Sequence, residues 1–229
     1  MSEETQPGEP VVISVRGEAE REVGAERGTA RIAVRSEGGD RGAVLDDVAV
    51  EAAAVRARIE QLHDEGAVTT WTSEQLSAWS TQPYGDHGRR LAPRQHAAVN
   101  LRAEFGDFAA LGRFVAEFAE HPLVVIEGID WTLTPATERR VESDVAASAV
   151  HQALARATAY AAALGLTDVR PLAVADLGLL DPGSGGGPTP RMMMASASFD
   201  RAGDDRPDID LRPGDITVRA AVEARFTAR

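Results

Sequence analysis

Five histidines, His63, His87, His96, His121 and His151, are the side chains best suited to ligate a metal or move a proton near neutral pH. No two stand at the i, i+4 spacing that sets a pair of imidazoles on one helical face around zinc. Surface or capping roles are the default for each, with a two-histidine metal site assembled from distant positions as the alternative. The string Gly183-Ser184-Gly185-Gly186-Gly187 offers exposed backbone N–H groups. A phosphate cradle, however, needs a buried strand before it and a helix N-terminus after it. Pro188 and Pro190 follow instead, so the string reads as a flexible linker rather than an anion site.

Met192, Met193 and Met194 present thioethers, which favour copper(I) when cysteine or histidine completes the site. No histidine lies beyond His151, so packing or a partner-facing apolar patch is the better reading. Asp204, Asp205, Asp208 and Asp210 have few apolar neighbours to raise a carboxyl pKa. They read as a solvated acidic loop, with weak calcium binding as the alternative. The GxSxG nucleophile elbow is absent from the sequence, though serine, aspartate and histidine all occur singly.

Composition narrows the chemistry further. The 229 residues include no cysteine, and all 24 basic residues are arginine. Thiolate nucleophiles, disulfides, iron–sulfur clusters and cysteine zinc sites are therefore excluded, as are lysine Schiff bases and phosphate-loop lysines. Thirty-six acidic residues bring the net charge to −12, which disfavours a nucleic-acid binder. The densest basic group, Arg89, Arg90 and Arg94 beside Asp86, reads as a solvated turn. The polar start MSEETQPGEP lacks the basic-then-apolar pattern of a secretory signal, and no stretch approaches the ~20 apolar residues of a membrane span. The expected location is cytoplasmic. No catalytic, cofactor-binding or metal residue is assigned, and no cofactor is expected.

The elements that would hold these groups follow from periodicity. Residues 1–10 read as a flexible tail, and ordered structure is expected over 11–229. Val11, Ile13 and Val15 alternate with Val12, Ser14 and Arg16, and Ala30, Ile32 and Val34 with Arg31, Ala33 and Arg35, across a Gly/Glu/Arg-rich connection. Val44, Val48, Ala52, Val55, Ile59 and Leu62 recur at helical steps and stop near Gly66. Residues 68–80, rich in Thr, Ser and Trp, suit a polar strand at a sheet edge.

Ala97 to Phe105 alternates as a strand, and Asp107 caps a short helix bearing Phe108, Leu111, Val115 and Phe118. Residues 123–133 give a strand, and a long helix opens at Pro135 and Thr137 with a stripe of Val150, Leu154, Ala157, Ala161 and Leu164 before Gly165. A short strand over 169–174, a loop excursion at about 178–213 and a strongly alternating strand from Ile216 to Phe226 complete the chain. The order β-β-α-β-β-α-β-α-β-loop-β predicts an α+β fold, with largely antiparallel sheets and helices packed on one face.

Several segments, in order, resemble the SIMPL-domain family. VRGEAEREVGAERGTARIAVRSEG looks like its opening hairpin, and GIDWTL like its central strand. HQALARATAYAAALGL followed by VRPLAVADLG is similar to its long helix and short strand, and PGDITVRAAVEARF to its terminal strand. Ala19 stands where a second glycine is common. The resemblance covers about residues 11–227 and implies two αβ lobes, homo-oligomeric assembly and a link to stress tolerance, with no catalytic residues to carry over. The expected function is a non-enzymatic, self-associating scaffold or interaction protein, with Met192 to Met194 and Phe199 docking on a neighbour. The alternative is a small-molecule or metal-binding module with a pocket between the lobes, lined by Trp71, Trp79 and Trp131.

Overall fold

The computed structural model describes residues 9–84, 89–180 and 211–229. Within them the chain forms β1 (Val11–Val23), β2 (Arg27–Gly38), α1 (Arg41–Asp64), β3 (Val68–Ser73), β4 (Ser77–Thr81), β5 (Arg94–Phe105), α2 (Phe108–Phe118), β6 (Val124–Thr132), α3 (Pro135–Ala163), β7 (Val169–Asp176) and β8 (Ile216–Ala228). The fold is α+β with antiparallel sheets. His87, Asp86, the glycine string, the methionine run, Phe199 and the aspartates at 204, 205, 208 and 210 lie outside the described residues.

The elements divide between two compact units. One holds β2 to β6 with α1 and α2. Its sheet runs β3-β5-β2-β6, with β4 also paired to β5. Even-numbered Ala30, Ile32 and Val34 of β2 and odd-numbered Val99, Leu101, Ala103 and Phe105 of β5 share one face, because pairing sets Ile32 opposite Leu101 and Ala30 opposite Ala103. The helices cover this face. α1 contributes Val44, Val48, Ala52, Val55, Ile59 and Leu62, and α2 adds Leu111, Phe114, Val115 and Phe118. Asp40 and Asp107 cap the two helices, accepting from Ala43 N–H at 2.9 Å and Ala109 N–H at 2.9 Å. Gly66, at φ 81°, ends α1 in a left-handed turn: Ala67 N–H donates to Leu62 O at 2.9 Å and Gly66 N–H to His63 O at 2.9 Å.

The other unit holds β1, α3, β7 and β8, with sheet order β1-β8-β7. Even-numbered Val222, Ala224, Phe226 and Ala228 of β8 meet α3, while Thr217, Arg219, Glu223 and Arg225 face away. α3 starts at Pro135 behind the N-cap Thr134, and Gly165 at φ 76° closes it as Gly66 closes α1.

Three expectations change in detail. The Gly/Glu/Arg-rich connection is largely strand, since all thirteen residues of β1 pair with β8, from Val11 opposite Ala228 to Val23 opposite Ile216. The segment 68–80 divides into β3 and β4. Four steps from Ser73 to Ser77 oppose three from Leu101 to Ala98, and the extra residue bulges the strand. The buried stripe of α3 is Val141, Val145, Ala149, Ala153, Ala157 and Ala161, with Leu154 and Leu164 exposed. The cause is Gly17 of β1, where a Cβ would stand 2.0 Å from Ala149 O and 2.8 Å from Ala153 N. There strand and helix backbones touch, with the small side chains of Ala149 and Ala153 at the contact.

Candidate interaction surface

In the unit with two helices, both helices cover one face of the sheet. Among the described residues no helix covers the opposite face, as antiparallel sheets allow. It carries Thr29, Arg31, Arg35 and Glu37 from β2, Arg94, His96, Asn100, Arg102 and Glu104 from β5, and Asp130 from β6. Arg31 reaches both carboxylate oxygens of Asp130 at 2.5 and 2.6 Å. Arg35 pairs with Glu127, Arg94 with Glu37, and Arg27 lies 3.6 Å from Glu104. Asn100 donates to Glu74 at 2.8 Å.

Solvent-accessible ion pairs such as these, exposed at Arg35–Glu127 and Arg94–Glu37 and half-buried at Arg31–Asp130 and Arg27–Glu104, contribute about 0–1 kcal/mol each, so the lattice does little for stability. Its effect is local neutrality. Arg27, Arg31, Arg35, Arg94 and Arg102 are matched in number by Glu37, Glu74, Glu104, Glu127 and Asp130, on a chain whose net charge is −12.

At the outer side of this face Trp79 of β4 stands opposite His96 of β5. Their rings stack at 5.3 Å with a 10° angle between planes, and Trp79 remains 46% exposed. Thr81 Oγ1 shares a hydrogen bond with His96 Nε2 at 2.7 Å, and His96 Nδ1 lies 3.6 Å from Glu37 Oε2. Hydroxyl, imidazole and carboxylate thus stand in a row. The last gap exceeds hydrogen-bond reach, however, and Arg94 already holds Glu37. The arrangement fixes the imidazole beneath Trp79 more than it activates the Thr81 hydroxyl.

Leu76, Tyr84 and Leu91 are also exposed along this segment, where Leu91 N–H donates to Pro83 O at 3.0 Å. Apolar surface therefore gathers at β4 and the residues beside it. Edges elsewhere are defended. Beyond β1, Gln152 and Arg156 of α3 reach over the strand: Glu18 N–H donates to Gln152 Oε1 at 2.6 Å, and Arg156 donates to Arg16 O at 2.8 Å. β7 carries Pro171 at a register shift. Both devices discourage strand addition.

The remaining histidines are scattered. His63 ends α1, 3.9 Å from Asp64, and His151 is exposed on α3. His121 Nδ1 lies 2.7 Å from Glu51 Oε1 and ties the turn after α2 to α1. Among the described residues no three His, Asp or Glu side chains form a group able to hold a metal, and no polar or charged side chain is fully buried. The three tryptophans do not share a pocket wall. Trp131 is buried at 1% exposure and Trp71 packs partly against the same helix-covered core, whereas Trp79 stands on the open face. Arg94 is the first residue of β5 rather than part of a loop.

Sequence reasoning placed an edge strand over 68–80 but missed its surface. The signal was there: Ser77-Ala78-Trp79-Ser80-Thr81 is an uncharged strand with a large aromatic at its centre. One family model, SIMPL, described as a protein of unknown function (DUF541), matches residues 13–226, nearly the whole chain. No curated protein matches it.

Proposed function

Starting from the chain's membership of the SIMPL family, we propose that it works as a self-associating scaffold, assembling with its own copies rather than transforming a substrate. The observation that supports this is the exposed apolar segment Leu76, Trp79, Tyr84 and Leu91, at the rim of a locally neutral sheet face. A chain of charge −12 repels its own copies. A neutral face with an apolar rim lowers that repulsion and offers apolar area to bury. Most charged side chains of that face hold one another in pairs, which supports a role in contact rather than in chemistry. The link to stress tolerance belongs to this reading through the family resemblance alone. Static light scattering on the purified chain tests the proposal. A mass that is a multiple of the monomer at micromolar concentration supports it, and a strict monomer up to the highest soluble concentration removes it.

A further inference from the structure

The hydrogen-bond parity of β5 determines which groups of β4 point outward. Glu74 N–H donates to Asn100 O at 2.8 Å, and Ser77 Oγ donates to Ala98 O at 3.3 Å, so the even residues of β5 present their backbone to the β3–β4 side. Arg35 N–H donates to Leu123 O, which turns the odd residues of β2 toward β6 and leaves the odd residues of β5 for β2, in agreement. Ala98, His96 and Arg94 stand opposite Ser77, Trp79 and Thr81. These three residues of β4 thus spend their N–H and C=O groups on β5. Ala78 and Ser80 direct theirs away from the sheet, and among the described residues no strand lies beyond.

An edge of this kind is ordinarily blunted by charge, proline or a bulge. β1 has Gln152 and Arg156, β7 has Pro171, β6 has Glu127, Asp130 and a register shift, and β3 has a register shift. The bulge that separates β3 from β4 lies before Ser77, and within Ser77–Thr81 the pairing with β5 has no register shift, proline or charge. β4 is also self-complementary. Antiparallel pairing with a second β4 about a two-fold axis through Trp79 sets Ala78 opposite Ser80 of the second copy, and Ser80 opposite its Ala78. Both are outward-facing residues, so each pair exchanges two hydrogen bonds. Trp79 then meets its own copy at a non-hydrogen-bonded position, where cross-strand side chains come closest and aromatic pairs gain most.

We infer that two copies of this chain join edge to edge through β4, with Trp79 on the two-fold axis, extending the sheet across the interface. This rests on the self-association proposed above and names its contact. The strand is uncharged, so two copies that each carry −12 meet without placing like charges opposite one another in the pair.

Two variants of the full chain test it. Ser80→Pro removes an outward N–H and places a ring on the edge, while every ladder bond to β5 is kept. Ser77→Cys/Thr81→Cys, in a chain with no other cysteine, sets position 77 opposite position 81 of the second copy at about 4.5 Å between Cα atoms, within disulfide range. Within one copy the two positions are about 13 Å apart and cannot bridge. The expected results are a lower mass by light scattering for Ser80→Pro with an unchanged circular dichroism spectrum, and a covalent dimer on oxidation of the double variant but not of Ser77→Cys alone. A wild-type monomer overturns both readings. A wild-type oligomer that shows no cross-link, or whose folded Ser80→Pro variant keeps its mass, overturns the β4 contact and leaves self-association standing.

Discussion

Ala149 O of α3 stands 2.0 Å from the point where a Cβ on Gly17 of β1 would lie. The helix therefore rests on the strand's backbone, and the atom in the way is main chain, which cannot rotate aside. Gly17→Ala forces the two elements apart. The expected loss is at the upper end of the overpacking range, about 3 kcal/mol. Thermal unfolding should record it as a drop of several degrees, at about 2–4 °C per kcal/mol for a chain of this length. An unchanged midpoint would contradict the close approach.

Neighbouring positions on α3 should respond unequally. Ala153 is fully buried beside Gly17, whereas Leu154 is 40% exposed. Ala153→Leu is expected to cost about 1–3 kcal/mol by overpacking, and Leu154→Ala less than about 1 kcal/mol. Urea titration of the two variants checks the order, and a larger loss for Leu154→Ala would restore the leucine-containing stripe.

That stripe shows what the sequence made legible and what it did not. Periodicity placed all three helices, because Val44 to Leu62 and Phe108 to Phe118 repeat at helical steps and Asp40, Asp107, Gly66 and Gly165 punctuate them. It put Ala157 and Ala161 on the buried face of α3 but set Leu154 there in place of Ala153, since hydrophobicity favours leucine while the glycine that decides the matter lies 136 residues away. β1 beyond Arg16 was hidden for a similar reason: Glu18, Glu20 and Glu22 look like a connection until the length of β8 is known. The surface at β4 depends on which strand lies outermost and which way its N–H groups point. Both come from pairing, which one strand's residues do not encode.

Removing the guard on β1 should expose a second edge. Gln152→Ala/Arg156→Ala deletes the acceptor for Glu18 N–H and the donor to Arg16 O. Each bond contributes about 0.5–1.5 kcal/mol net, so the fold should survive. Turbidity on mild heating should rise relative to wild type as unguarded strands meet. A double variant that stays as clear as wild type would show that α3 protects β1 by bulk alone.

The ion-pair lattice should matter little to stability or to assembly. Arg31→Ala abandons Asp130 on an open face, and the expected cost is below about 1 kcal/mol. Chemical denaturation measures this, and sedimentation of the same variant should return the wild-type mass. A dissociated Arg31→Ala would transfer the interface from the apolar rim to the charged face.

Sedimentation velocity of the wild-type chain across ionic strength tests most directly whether apolar contact between copies outweighs their mutual repulsion. Raising salt from about 0.05 to 0.5 M shortens the screening length from about 14 to 4 Å. Repulsion between two chains of −12 is thereby suppressed, while burial of Leu76, Trp79, Tyr84 and Leu91 is untouched. Association should tighten with salt, and Trp79→Ser should remove it at every salt concentration. Association that weakens as salt rises, or that Trp79→Ser leaves intact, would contradict the account.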